Sequence, residues 1–154
     1  MTLNQVSLIA IVLWAATIAV FAWFFIRGNT VAGTDNRTAV VLGAGERNLI
    51  LSEMRGLLAG TYNILEGINL NDPKRIAQAS RAVGMAAAAD VNPALMAKLP
   101  MPFKRLGMSV HQEMDDLAHA AENGKPAQEL QAMLTNALSK CVACHASWQL
   151  KADN

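Results

Sequence analysis

Cys141-Val142-Ala143-Cys144-His145 sets two thiols and an imidazole close together near the C-terminus, and these are the chain's only 2 cysteines. Positions three apart on a helix share a face, so both sulfurs would point the same way, with the histidine beside them. Read as Cys-x-x-Cys-His, the stretch is a covalent haem c attachment site. Each thiol becomes a thioether to a haem vinyl group, and His145 ligates the iron from one face.

Three other chemistries use the same residue types. A disulfide needs only the two thiols. A thioredoxin-like redox pair needs a strand-turn-helix context, whereas the residues before Cys141 read as helix throughout. Half of a zinc site needs further ligands, and the only other histidines are His111 and His119. Haem is the reading carried forward. Its attachment takes place outside the cytoplasmic membrane of a bacterium, which places a demand on the N-terminus.

The N-terminus meets it. Met1 to Ile26 holds no charged side chain, and Val6–Ile26 is almost wholly apolar. At about 1.5 Å per residue this stretch spans a hydrocarbon core of about 30 Å. Trp23, Phe24 and Phe25 suit an interface at its distal end, and Arg27 stops it. Thr30-Val31-Ala32 faintly resembles a cleavage site, but no basic segment precedes the apolar run, which is long for a signal peptide. The segment therefore reads as a single-pass anchor. Arg27 alone weakly favours a cytoplasmic C-terminal side; the haem motif requires the opposite, and it outweighs one arginine. The expected place is the bacterial inner membrane, with the C-terminal domain in the periplasm.

A chain of 154 residues has room for one compact domain besides the anchor, and a net charge of +1 shows no drive toward nucleic acid. The remainder is rich in Ala, Leu and Met and poor in aromatic residues, which favours helices. The expected division is an anchor over 1–27, a Gly/Thr/Asn-bearing linker over 28–41 with Thr34 or Asp35 as a possible N-cap, and a helical domain over 42–154. The first domain helix runs to about Asn69 with Ile50, Met54, Leu57/Leu58, Thr61, Leu65 and Ile68 as its stripe. Asp72 caps and Pro73 opens a second helix over 73–89, with Ile76, Val83 and Ala87 inward. Residues 91–102, with three prolines, read as a loop. A third helix spans about Phe103 to Glu122 and ends at Asn123-Gly124. Pro126 opens a fourth, whose stripe is Leu130, Leu134, Ala137, Cys141, Cys144/His145 and Trp148. The expected fold is all-α: an antiparallel four-helix bundle with covalent haem c, preceded by one transmembrane helix.

Four helices with Cys-x-x-Cys-His near the end of the last resemble the class II c-type cytochromes, the cytochrome c prime family, over about residues 44–150. Arg47-Asn48, Leu51 and Gly67 are similar to the family's Arg-Gln pair, the apolar residue four positions on and a later glycine. The resemblance implies that the first domain helix supplies the distal face of one haem c per chain. In low-spin members a Met from that helix is the sixth ligand; here the aligned residue is Leu51, and Met54, one turn later, is the nearest substitute. Met54 also reads as ordinary core filler. His111 is another candidate, and an open sixth position is the third. Arg47 resembles the family's propionate-contacting arginine and reads equally as a solvated first-turn residue. Trp148 would pack on the ring. Gln149 stands where the family tends to carry a basic residue.

No nucleophile–base pair or paired carboxylates accompany the motif, so the chain does not read as an enzyme. The expected function is one-electron transfer at the membrane, to or from a redox protein or an integral-membrane oxidoreductase complex, with the chain as a homodimer or as a subunit of a hetero-complex. The alternative is a five-coordinate haem protein that binds NO or CO; a third reading is an architectural subunit. Lys98, Lys104 and Arg105 form a basic cluster and Glu113, Asp115, Asp116 and Glu122 an acidic one beyond; such runs usually read as solvated faces, and the functional alternative is that the basic cluster docks an acidic partner.

Overall fold

The computed structural model describes residues 3–89 and 91–153, with the side chain of residue 3 outside it. Met1 and Thr2 of the expected anchor and Asn154 of the expected domain lie outside the described residues. The chain is mostly helical.

α1 (Leu3–Arg27) is the apolar N-terminal helix. Asn4–Arg27 is long and apolar enough to cross a membrane, with a mean hydropathy of 2.5, and its side chains are exposed. After α1 the chain builds a small sheet, where an irregular linker was expected. β1 (Thr30–Ala32) pairs antiparallel with β2 (Thr38–Leu42), and Asn36, at φ 66°, makes the turn between them. Thr34 and Asp35 belong to this hairpin and cap no helix. Thr38, Val40 and Val41 are β-branched, which suits a strand, and Ala39, Val40 and Leu42 are buried against the core.

α2 (Ala44–Asn69) begins after Gly43, whose N–H donates to Glu46 Oε2 at 2.8 Å. Its buried stripe is Ile50, Thr61, Ile64 and Ile68; Leu58 and Leu65 face solvent, and Ile64 takes the place expected of Leu65. α3 (Pro73–Arg81) starts as expected, with Asp72 Oδ1 accepting from Arg75 N–H at 3.0 Å and Pro73 at the first helical position. The helix expected over 73–89 instead stops at Arg81. Val83 and Gly84 redirect the chain into a 3-10 turn (Met85–Ala88), because Asp115 accepts the Met85 N–H at 2.9 Å and the Val83 carbonyl is taken by His111. Ala87 is accordingly exposed while Val83 is buried.

The proline-rich stretch expected as a loop holds a short helix, α4 (Pro93–Lys98), with Asn92 as its N-cap. α5 (Met101–Glu122) ends at Asn123 and Gly124, the latter at φ 72°. α6 (Ala127–Ser147) carries the Cys-x-x-Cys-His stretch in its last two turns. It ends one residue before Trp148, which opens β3 (Trp148–Ala152). β3 lies parallel to β2, Thr38 opposite Trp148 and Leu42 opposite Ala152, so β2 is the middle strand.

α5 packs on α3 and on α6, and α2 packs on α3 and α6. Two apolar clusters result. One joins Ile64, Ile76, Met114, Leu117, Leu130 and Leu134 between the helices. The other joins Val40, Leu42, Ile50, Leu95, Leu99 and Phe103 where α2, α4, α5 and the sheet meet, with Cys144, Trp148 and Met54 at its margin.

Candidate functional site

Cys141 and Cys144 are free thiols, each half-buried on the inward side of α6. Cys141 packs against the helical cluster and Cys144 against the sheet cluster, so the two sulfurs straddle the gap between them. Burial pushes both thiols up from their ordinary pKa; a nearby Glu113 carboxylate adds to this at Cys141, and Cys141 itself adds to it at Cys144. They therefore stand as protonated thiols at neutral pH. His145 is exposed at the next position.

Two cavities open onto these residues, with about 560 Å³ and 520 Å³ of empty space including their open sides, and Met54, Phe103, Cys144 and His145 line both. The first continues along Ile50, Leu57, Leu106 and Val110 toward His111 and Cys141. The second continues along Leu51, Trp148 and Leu150 toward Arg47 and Arg37. Two of the family-implied residues of α2, Arg47 and Leu51, thus lie at the same cavity as the histidine and one thiol. Trp148 does too, although as the first residue of a strand and not on the helical stripe. Its ring meets Phe103 edge to face, centroids 6.1 Å apart at 88°.

The sheet holds the end of α6. Arg37 Nη1 donates to the His145 carbonyl at 3.2 Å and to the Trp148 carbonyl at 3.4 Å, while its Nε donates to Asp35 Oδ2 at 2.8 Å. Gln149 Nε2 donates to Asp35 Oδ1 at 2.9 Å. Arg37 holds the Asp35 carboxyl below its usual range. Read as a linker, the 28–41 stretch conceals Arg37, Asp35 and their partner Gln149. The signal for them is the β-branched Thr38, Val40 and Val41 after a Gly-Thr-Asp-Asn turn.

His111 is placed against ligation. It is buried, its Nδ1 is 2.8 Å from the Val83 carbonyl and its Nε2 is 2.9 Å from Glu53 Oε1. Both neighbours are acceptors, so the ring donates from both nitrogens as an imidazolium, and the Glu53 carboxylate raises its pKa. A metal would have to displace one of these partners. His119 is exposed, with Nδ1 3.6 Å from Glu122.

The expected basic docking cluster is not a free surface. Lys98 pairs with Glu46 at 2.7 Å, and Lys104 is buried with its Nζ on the Phe25 and Met96 carbonyls; of the three, Arg105 alone is exposed without either use. The acidic cluster is likewise occupied: Glu113 by Lys140, Asp115 by Met85 N–H, Asp116 by Gln112 and Glu122 by Arg81.

Among the described residues no three His, Cys, Asp or Glu side chains are grouped to hold a metal ion on their own. The two cavities instead bring together aliphatic and aromatic side chains, two thiols, an imidazole and two guanidinium groups. No family model, curated protein or solved structure matches the chain.

Proposed function

We propose that the chain is a membrane-anchored, periplasmic c-type cytochrome that carries single electrons to or from a membrane partner. The observation that carries this reading is the convergence of Cys144 and His145 with Met54, Phe103, Arg47 and Trp148 on two adjoining cavities, with Cys141 one turn away. In it, α2, α3, α5 and α6 are the four helices of a cytochrome c prime-like bundle. Haem c, when bound, supplies an iron that alternates between ferric and ferrous states.

The chain's own residues do the rest. Cys141 and Cys144 would hold the ring covalently as thioethers. His145 would ligate the iron, and the Arg37 hydrogen bond to its carbonyl limits the play of the last turn of α6. Met54 would be the second iron ligand from the chain, because it lines both cavities while Leu51 lines one and His111 is held in an ion pair. Arg47 and Arg37 offer charge to the ring's carboxylates. Phe103, Ile50 and Trp148 keep water from the ring, which lowers the reorganisation that electron transfer requires. α1 keeps the domain at the membrane surface and raises its local concentration near membrane partners.

The test is expression in a host that matures c-type cytochromes, followed by the reduced optical spectrum before and after CO. One haem retained under denaturing conditions, and lost in Cys141→Ser with Cys144→Ser, is expected. A sharp low-spin spectrum unmoved by CO, which becomes high-spin and CO-sensitive in Met54→Leu, is expected with it. A wild-type spectrum that shifts with CO would replace electron transfer by NO or CO binding. A chain that emerges without covalent haem in that host would end the proposal.

A further inference from the structure

The exit of α1 is joined to the domain at several points. Gly28, at φ 65°, donates its N–H to the Phe24 carbonyl at 2.9 Å, and a Cβ there would lie 2.5 Å from the Lys98 carbonyl oxygen and from Pro100 N. Glycine is the residue this turn admits. Asn29 N–H donates to the Lys98 carbonyl at 2.7 Å, Asn29 Nδ2 to the Val41 carbonyl at 3.0 Å, and Val41 N–H to the Asn29 carbonyl at 2.8 Å. Lys104 Nζ donates to the Phe25 carbonyl at 3.1 Å and to the Met96 carbonyl at 3.2 Å, and stands 3.5 Å from the centroid of the Phe25 ring. It supplies a donor to a last-turn carbonyl that α1 leaves without a helical partner.

This seam brings α4 beside α1. Ala97 borders the same cleft as Ile18, Phe21, Ala22 and Phe25. The exposed residues of α4 are Pro93, Ala94 and Ala97, all uncharged. A bilayer that surrounds Phe21 to Phe25 therefore reaches Ala97. Phe103, next in sequence to Lys104, lines both cavities of the candidate site.

We propose that α4 is a second membrane contact: its Pro93, Ala94 and Ala97 edge rests in the interface of the bilayer that α1 spans, where the Gly28–Lys104 seam holds it. The proposal rests on reading α1 as a membrane span and is independent of haem. Its occupant is phospholipid, because Ala97 of that edge shares a cleft with the apolar side chains of α1.

The full-length protein is incorporated in vesicles of phosphatidylethanolamine and phosphatidylglycerol that carry a phospholipid with a photoreactive group near its headgroup, and adducts are mapped by mass spectrometry. Adducts on α1 and on residues 93–97, with none on the exposed positions Gln131 and Thr135 of α6, are expected. In the double variant Ala94→Glu, Ala97→Glu, both at exposed positions, adducts on 93–97 fall several-fold while those on α1 and the unfolding transition stay unchanged. Adducts on α1 with none on 93–97 above the level at Gln131 would overturn the seating of α4 alone. No adducts on α1 would overturn the membrane span and the seating with it.

Discussion

The two apolar clusters are built differently. The helical cluster is closed by side chains at helical spacing: Ile64, Met114, Leu117, Leu130 and Leu134 are almost wholly buried and come from long helices. The sheet cluster is assembled from short pieces: one strand, one six-residue helix and the first turns of α2 and α5, with Met54, Cys144 and Trp148 left half-exposed around cavities. A close-packed interior contributes stability at every position, whereas a wall facing open space forgoes part of that contact. The helical cluster holds more of the fully buried side chains, and the two cavities lie mainly along the sheet cluster, the first reaching Val110 and Cys141 of the helical one. Substitutions on either side of this division should behave differently, and the largest difference is expected in the core itself.

Leu134→Ala removes a fully buried side chain from the closed cluster. A loss of about 2–5 kcal/mol of unfolding free energy is expected in chemical denaturation, with or without bound ligand. Phe103→Ala sits on the other side of the division. Phe103 borders two cavities, so its removal enlarges existing space, and in the ligand-free protein the loss falls below that of Leu134→Ala despite the larger side chain. If haem fills the cavities as proposed, the gap between the two losses narrows in the loaded protein. Equal losses in the ligand-free protein would mean that the second cluster is as closely packed as the first.

The same division governs how much of the molecule is legible in its sequence. The helical cluster is largely legible: Asp72-Pro73 and Asn123-Gly124 act through local backbone chemistry, and the stripe of α6 follows a single period from Leu130 to Cys144. Leu65 is mistaken for Ile64 because both lie within one turn of the stripe. The sheet cluster is poorly legible. β2 finds its partner β3 at the far end of the chain, and nothing local to Trp148-Gln149-Leu150-Lys151-Ala152 announces a parallel neighbour. α4 hides among prolines, which sit where helices accept them, at and just before the first turns of α4 and α5. Of the residues lining the second cavity, Arg47, Leu51, Met54, Trp148 and Gln149 are named from the sequence, and Arg37 is not, because its contacts with the His145 and Trp148 carbonyls are long-range.

His111 joins the two halves, since α5 carries it, α2 carries Glu53, and the Val83 carbonyl belongs to the turn after α3. Its pKa is raised in the folded chain above the ordinary 6.5, with the Glu53 hydrogen bond as the largest cause. A raised folded-state pKa means that the folded state binds the proton more tightly. The stability this gives is fully present below about pH 6.5 and is lost as pH climbs through the folded value. Denaturation midpoints are therefore expected to fall from about pH 6 toward alkaline pH, and His111→Gln is expected to flatten that fall. An unchanged slope in the variant would assign the pH dependence elsewhere and remove the charged link between the halves.

The smallest effects lie at two helix starts, one in each half. Asp72 accepts from Arg75 N–H at 3.0 Å at the head of α3, and Asn92 accepts from Ala94 N–H at 2.8 Å at the head of α4. Either cap, replaced by Ala, gives up about 1 kcal/mol of helix stability. The division predicts that the two losses appear in different measurements. α3 is packed along α2 and α5, so it opens only when the whole domain unfolds, and Asp72→Ala lowers the global transition. α4 is six residues long and is held chiefly by Leu95 and Leu99 in the core and by the Lys98–Glu46 pair. It opens on its own, so Asn92→Ala speeds amide exchange over residues 94–98 while the global transition stays in place. A matching drop in the global transition for both variants would make α4 part of the same cooperative unit as the helical cluster, and the two halves would then be one.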